Sequence, residues 1–170
     1  SEDDEIWETG AMCVELTQRS GIDIDVDIQM KRDAEGILFH DEAAIANRTA
    51  EAFMTSLISR RTRLYLDTFI DHDRGYMPRL ALLDRRYNPR RTFQVLKNLG
   101  CIERELADSG NRVEKIETEK GLKSFVRRTP QKGYILLLFQ APADGISLTL
   151  PEGCRRFTDL VDLDSGRVHP

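Results

Sequence analysis

Residues 22–30 alternate without a break: Ile22, Ile24, Val26, Ile28 and Met30 fall on one side, and Asp23, Asp25, Asp27 and Gln29 on the other. A period of two sends successive side chains to opposite faces of an extended chain, so this pattern predicts a strand with one apolar and one acidic face. The period then changes. Over 42–59, Ala43, Ala44, Ile45, Ala52, Phe53, Leu57 and Ile58 recur at the helical repeat, which predicts an amphipathic helix of about five turns. Asp41 stands where its carboxylate can accept from first-turn amides, and Arg60, Arg61 and Arg63 follow the carboxyl end, where the helix dipole favours cations. An apolar and aromatic run over 64–70 then predicts a buried strand. It gives way to Asp71, His72, Asp73, Arg74 and Gly75, a polar cluster too dense to be buried without partners. A turn at Tyr87-Asn88-Pro89 opens a second helix, expected over 90–107, with Phe93, Leu96 and Leu99 spaced by three. Two strands joined through a helix make a parallel βαβ unit.

On either side of this block the pattern is shorter. Met12, Val14 and Leu16 suit a brief helix over 11–19 that Ser20-Gly21 stops. Beyond the turn Asp108-Ser109-Gly110-Asn111, strand-like runs follow at 112–118, 122–127, 134–140, 146–150 and 157–163. Gly121, Pro130, Gly133, Gly145, Pro151, Gly153 and Gly166 punctuate them. Short strands with frequent turns describe an antiparallel module. The expected division is therefore 1–107, rich in βα units, and 108–170, an antiparallel β module.

Composition narrows the reading. At 170 residues with 40% hydrophobic and 32% charged residues, the chain has the make-up of a globular domain rather than a disordered one. A net charge of −4 with the two signs interspersed leaves no overall footprint for nucleic acid. Arg85, Arg86, Arg90 and Arg91 are a local exception, readable as a solvated start to the second helix. No apolar run approaches the roughly 20 residues that span a bilayer, so no membrane partner is expected. Cys13, Cys101 and Cys154 are odd in number and widely spaced, which suits free thiols in a reducing compartment and favours the cytoplasm. The start Ser-Glu-Asp-Asp-Glu, with no initiating Met, is expected of a trimmed or partial chain.

The run Ala81-Leu82-Leu83-Asp84, then Asn88-Pro89-Arg90, then Phe93 and Leu96 to Leu99, resembles the end of a retaining-type (β/α)8-barrel glycoside hydrolase. In many such families the last strand leads to a glycine–leucine–hydrophobic–aspartate run, a proline-containing turn and the eighth helix. Here Ala81 stands for the glycine, and Arg91-Thr92 for the proline–alanine pair. Asp162-Leu163-Asp164-Ser165-Gly166 is similar to a turn in the terminal β-sandwich of these enzymes. The resemblance implies an α/β fold, a partial (β/α)8 barrel of its last two βα units followed by a small antiparallel β-sandwich-like module. It also implies a carbohydrate or sugar-derived substrate, no cofactor, and the missing N-terminal part of the same barrel as a partner.

Glycosidases need two carboxyl groups flanking the scissile bond. If 22–30 is the seventh strand, the resemblance puts the acid on an earlier strand outside this chain and a nucleophile at the end of 22–30. No glutamate ends that strand, so Asp27 and, in the following loop, Glu35 are the candidates. The acidic face of the strand also reads as a merely wet face, or as an oxygen-lined patch for a cation. Asp71, Asp73, Arg74, Tyr76 and Arg79 suit a sugar subsite, because carboxylates and guanidinium forks can hydrogen-bond paired hydroxyls. Tyr76 or Tyr87 offers a ring for stacking. Asp84, through an ion pair with Arg85 or Arg79, and Asn88 read rather as loop-fixing groups. His40, His72 and His169 have no metal-ligand spacing, and no phosphate-binding glycine loop or Gly-x-Ser-x-Gly elbow is present. Two alternatives stay open: a non-catalytic α/β carbohydrate-binding or interaction domain, and a barrel hydrolase acting on a sugar lactone.

Overall fold

The computed structural model describes residues 12, 16, 19–21, 23–28, 42–58, 62–66, 69–71, 81–106, 113–117, 122–128, 133–139 and 157–170. Strand β1 (Ile24–Ile28) is followed by helix α1 (Glu42–Ile58), strand β2 (Thr62–Leu66) and helix α2 (Arg91–Leu106). Strands β3 (Val113–Glu117), β4 (Leu122–Arg128) and β5 (Gly133–Phe139) follow, then a terminal pair β6 (Leu160–Val161) and β7 (Val168–His169). Met12, Leu16, Arg19 and Ser20 are helical, with Ser20 Oγ donating to Leu16 O at 2.7 Å. Of the expected strands, 146–150 lies outside the described residues, and within 157–163 only β6 is strand.

β1 and β2 pair in parallel, in register from Ile24 against Thr62 to Ile28 against Leu66. β3, β4 and β5 form an antiparallel sheet in chain order. The fold so described is mixed α and β, with one parallel pair and two small antiparallel sheets.

α1 packs on α2, and it also touches β2, β3 and β5. The residues that meet are Ala46, Ala50 and Met54 of α1, spaced by four, and Val95 and Leu99 of α2, again spaced by four. Such spacing stacks side chains on one helix face. The most buried face of α1 thus runs through two alanines and Met54, while Phe53, Leu57 and Ile58 pack from its margin. On α2, likewise, Val95 and Leu99 lead into the core and Phe93 and Leu96 are half-buried. Alanines let the helices approach closely, so the largest side chains need not mark the contact line. The threonines caught in this face are satisfied locally: Thr49 Oγ1 donates to Ile45 O at 2.9 Å and Thr55 Oγ1 to Glu51 O at 2.8 Å.

The same cluster continues into Val113, Phe125, Leu136 and Leu138 of the three-stranded sheet. Phe125 is 0% exposed and is the cross-strand partner of Leu136. The change of pattern at 107/108 therefore marks a change of secondary structure, and the hydrophobic core runs across it. A polar seam closes the same interface. Tyr134 and Arg127 are cross-strand partners, and the Tyr134 hydroxyl donates to Glu103 Oε1 of α2. Arg127 lies 3.8 Å from the other Glu103 oxygen and donates to Leu106 O at 3.3 Å, which satisfies one of the orphan carbonyls at the end of α2. Burial, then the bond to Glu103, pushes the Tyr134 hydroxyl pKa up, so the phenol stays a donor.

The terminal pair is held to α2 by polar contacts. Arg91 meets Asp164 with a two-pronged fork, Nε to Oδ1 at 2.7 Å and Nη2 to Oδ2. Asn98 Nδ2 donates to Leu163 O at 2.7 Å. The turn between β6 and β7 is built on Asp162, which accepts from Asp164 N at 3.0 Å and Ser165 Oγ at 2.6 Å. Gly166 takes a positive φ of 71° there, and a Cβ on it would also crowd the Asn98 side chain at 3.3 Å.

Phe125→Ala is expected to cost about 3–5 kcal/mol. In urea, helix and sheet signals should be lost in one transition that shifts as a whole. Two separable transitions would show that the helices and the sheet do not share a core.

Candidate functional site

Because β1 and β2 run the same way in register, their carboxyl ends lie side by side, the end at which α/β folds place their chemistry. Asp27 is the strand partner of Tyr65, which is half exposed. Past β2, Leu83 N donates to Phe69 O at 2.9 Å and Asp71 N to Leu83 O at 3.1 Å. This makes a short parallel bridge between Ile70 and Leu83.

Asp71 is the last described residue before 72–80, and Ala81 is the first after it. They are joined directly: Ala81 N donates to Asp71 Oδ1 at 3.1 Å. The other carboxylate oxygen accepts from Arg90 Nη2. The Asp71 side chain is only 2% exposed, so its charge is tolerable only with such partners. Arg90 turns its second terminal nitrogen to Glu42 Oε1 at 2.6 Å, at the start of α1. Burial works against the Arg90 charge, but the hydrogen bonds to Asp71 and Glu42 outweigh it and hold its pKa above the ordinary value. Arg90 is also where α2 begins, since its carbonyl accepts from Gln94 N at 3.2 Å. One guanidinium thus ties together the exit of β2 and the starts of both helices.

Between Leu82 and Arg90 the chain folds into a tight hairpin. Arg90 N donates to Leu82 O, Asp84 N to Asn88 O and Tyr87 N to Asp84 O, each at 2.9 Å. The Asp84 carboxylate locks the loop by accepting from Arg86 N at 2.7 Å, Asn88 N at 2.8 Å and Asn88 Nδ2 at 2.9 Å. The side-chain bond from Asn88, then its backbone bond, holds the Asp84 pKa below the usual carboxylate range. A three-residue hairpin loop needs a left-handed residue at its third position, ordinarily glycine. Here that residue is Tyr87, with φ of 64°, a conformation that costs an L-residue about 1–2 kcal/mol. The parallel bridge runs both chains the same way, so the hairpin tip lies beyond the end where 72–80 begins.

The expected site residues divide as follows. Asp71 has both oxygens engaged inside the protein, with Ala81 N and Arg90 Nη2, rather than offering a free carboxylate. Asp27 has its backbone at the strand end beside Tyr65. Glu35, Asp73, Arg74, Tyr76 and Arg79 lie outside the described residues. Asp84 and Asn88 fix the loop through an Asx-type turn. Arg90, read from the sequence as part of a solvated basic run, is the residue missed. The only hint of its role is that a carboxylate closing an apolar run requires a cation from elsewhere.

The chain matches no known family model, no curated protein and no solved structure. Among the described residues no group of three His, Cys, Asp or Glu side chains is placed to hold a metal ion. No described helix is long and apolar enough to cross a membrane.

Arg90→Met, which leaves Asp71 as a buried unpaired charge, should cost about 3–5 kcal/mol in chemical unfolding. Arg91→Met, which breaks a half-exposed pair, should cost about 1 kcal/mol or less. Equal losses in the two variants would refute the anchoring role. The Asp84 lock has a definite pH sense. Its folded pKa lies below the unfolded value of about 3.9, so its contribution is complete above that value and is lost as pH falls through the folded pKa. Amide exchange of Arg86 and Asn88 should thus stay protected from neutral pH to about pH 4 and open below it, whereas Asp84→Asn should lack the step.

Proposed function

We propose that this chain supplies the last βα units and terminal β module of a carbohydrate-active hydrolase of the glycoside hydrolase type, with a sugar bound where β1 and β2 end. One observation carries the reading. Two parallel strands finish side by side, and beyond that end the buried Asp71 carboxylate is bonded to Ala81 N and to Arg90, which also reaches the exposed Glu42. The intervening sequence carries Asp73, Arg74, Tyr76 and Arg79, groups that can hydrogen-bond paired hydroxyls. In this reading Asp71 acts through Arg90 and Ala81 as a support. Asp27 is the candidate nucleophile, with Glu35 its alternative. The general acid belongs to an earlier strand of the barrel, as in the enzymes the sequence resembles.

The core shared by helices and sheet favours a second reading, a self-contained domain that binds carbohydrate without cleaving it. The two readings differ in what the chain does beside its missing strands, and both require a sugar ligand.

The test is a microarray of plant, microbial and animal oligosaccharides probed with the purified chain, beside a panel of aryl glycosides and sugar lactones. Retention of a defined set of glycans with no turnover is expected of this chain alone. Turnover that Asp27→Asn or Glu35→Gln abolishes would place both carboxyl groups within it. A silent array and no turnover would overturn the sugar assignment.

A further inference from the structure

The parallel pair β1–β2 is covered on one face and exposed on the other. Helix α1 packs on β2, where Leu64 and Leu66 are half-buried, while Arg63 and Tyr65 between them are exposed. The register sets Asp25 beside Arg63 and Asp27 beside Tyr65, and Asp23, itself exposed, stands two residues before Asp25. This face therefore carries three acidic positions along β1 against a single cation on β2. Parallel sheets are ordinarily covered on both faces, so an exposed one calls for a partner. The opposite charge sits on the hairpin tip. Arg85, Arg86 and Tyr87 are exposed there, the ring by 70%, on a loop closed by three hydrogen bonds to the Asp84 carboxylate. Tyr87 holds a φ of 64° that glycine or asparagine adopts more readily, and strain of this kind collects at recognition sites. Tip and face both stay exposed in the single chain, so neither covers the other there.

We infer that the hairpin tip of one copy of this chain docks on the β1–β2 face of a second copy, and that a two-fold axis repeats the contact in the other direction. Arg85 and Arg86 then meet Asp23 and Asp27, since Asp25 already has Arg63 beside it. The Tyr87 ring packs on Tyr65. Each copy contributes the same two surfaces, which closes the pair and doubles the area buried. Tyrosine and arginine are residues on which interface energy concentrates, and opposite charges settle which surfaces meet. Asp27 is also the candidate nucleophile, so this contact and a sugar at that carboxylate exclude one another.

Analytical ultracentrifugation of the whole chain tests the pairing. At about 0.05 M salt it should sediment as a dimer in the micromolar range, and as a monomer at about 1 M, where the Debye length falls to about 3 Å. Arg85→Glu with Arg86→Glu should be monomeric at low salt, and so should Asp23→Lys with Asp27→Lys, because each sets like charges face to face. Mixed in equal amounts, these two variants should form a heterodimer, since the reversed tip then meets the reversed face and the unaltered tip the unaltered face. Tyr87→Gly should weaken the parent dimer about tenfold, and an unchanged dimer would refute the ring's place in the contact. A parent chain that is monomeric at low salt, or still dimeric at high salt, refutes the pairing. So does a dimer that survives the two tip substitutions, which lie on an exposed loop and decide the matter whether or not the strand variant folds. Variants that are folded by circular dichroism yet stay apart when mixed show that tip and face are not each other's partners.

Discussion

A carboxylate with almost no exposure has to be compensated, and in this protein that requirement falls on Asp71. Its two oxygens recruit the amide of Ala81 and the guanidinium of Arg90. Meeting it brings the exit of β2, the far end of 72–80 and the start of α2 to one point. Because Arg90 also reaches Glu42, the start of α1 is drawn to the same place. The exposed Glu42 contact adds little by itself, since water competes for both groups. The buried Asp71 contact is the one whose loss leaves an uncompensated charge.

α2 is the element on which the rest converges, and each of its faces does separate work. Val95 and Leu99 enter the core against α1 and the three-stranded sheet. Glu103, near its end, takes the Tyr134 hydroxyl and faces Arg127. Arg91 and Asn98 hold the terminal pair through Asp164 and Leu163. Dispersion and hydrophobic burial supply the non-directional part of this assembly, while the polar seams fix its register.

Near the ends of the parallel strands, groups engaged within the protein stand apart from groups left exposed. Asp71 and Asp84 are of the first kind, since their carboxylate oxygens are taken up within the protein, and so are the two terminal nitrogens of Arg90. Among the described residues, Tyr65 in β2, Phe69 after it and Tyr87 at the hairpin tip are exposed aromatic side chains.

The sequence by itself determined the elements. Strict alternation at 22–30 produced β1, the helical repeat after Asp41 produced α1, and the turn at Tyr87-Asn88-Pro89 produced the start of α2. These features are local, set by backbone geometry and by which side chains a single element can bury. It also indicated that Asp84 and Asn88 hold a loop, for Asp84 through an ion pair with Arg85 or Arg79; the folded chain showed the Asx turn to Arg86 N and Asn88. Tertiary structure decided what those elements share. That Ala46, Ala50 and Met54 rather than Phe53 and Leu57 lead into the core depends on how closely two helices approach. That one core spans 107/108 depends on where Phe125 and Leu136 are carried by the sheet. The partnership of Asp71 with Arg90 was equally hidden, because it joins residues far apart in the chain. Only the folded path brings an otherwise ordinary arginine to a charge that water has left.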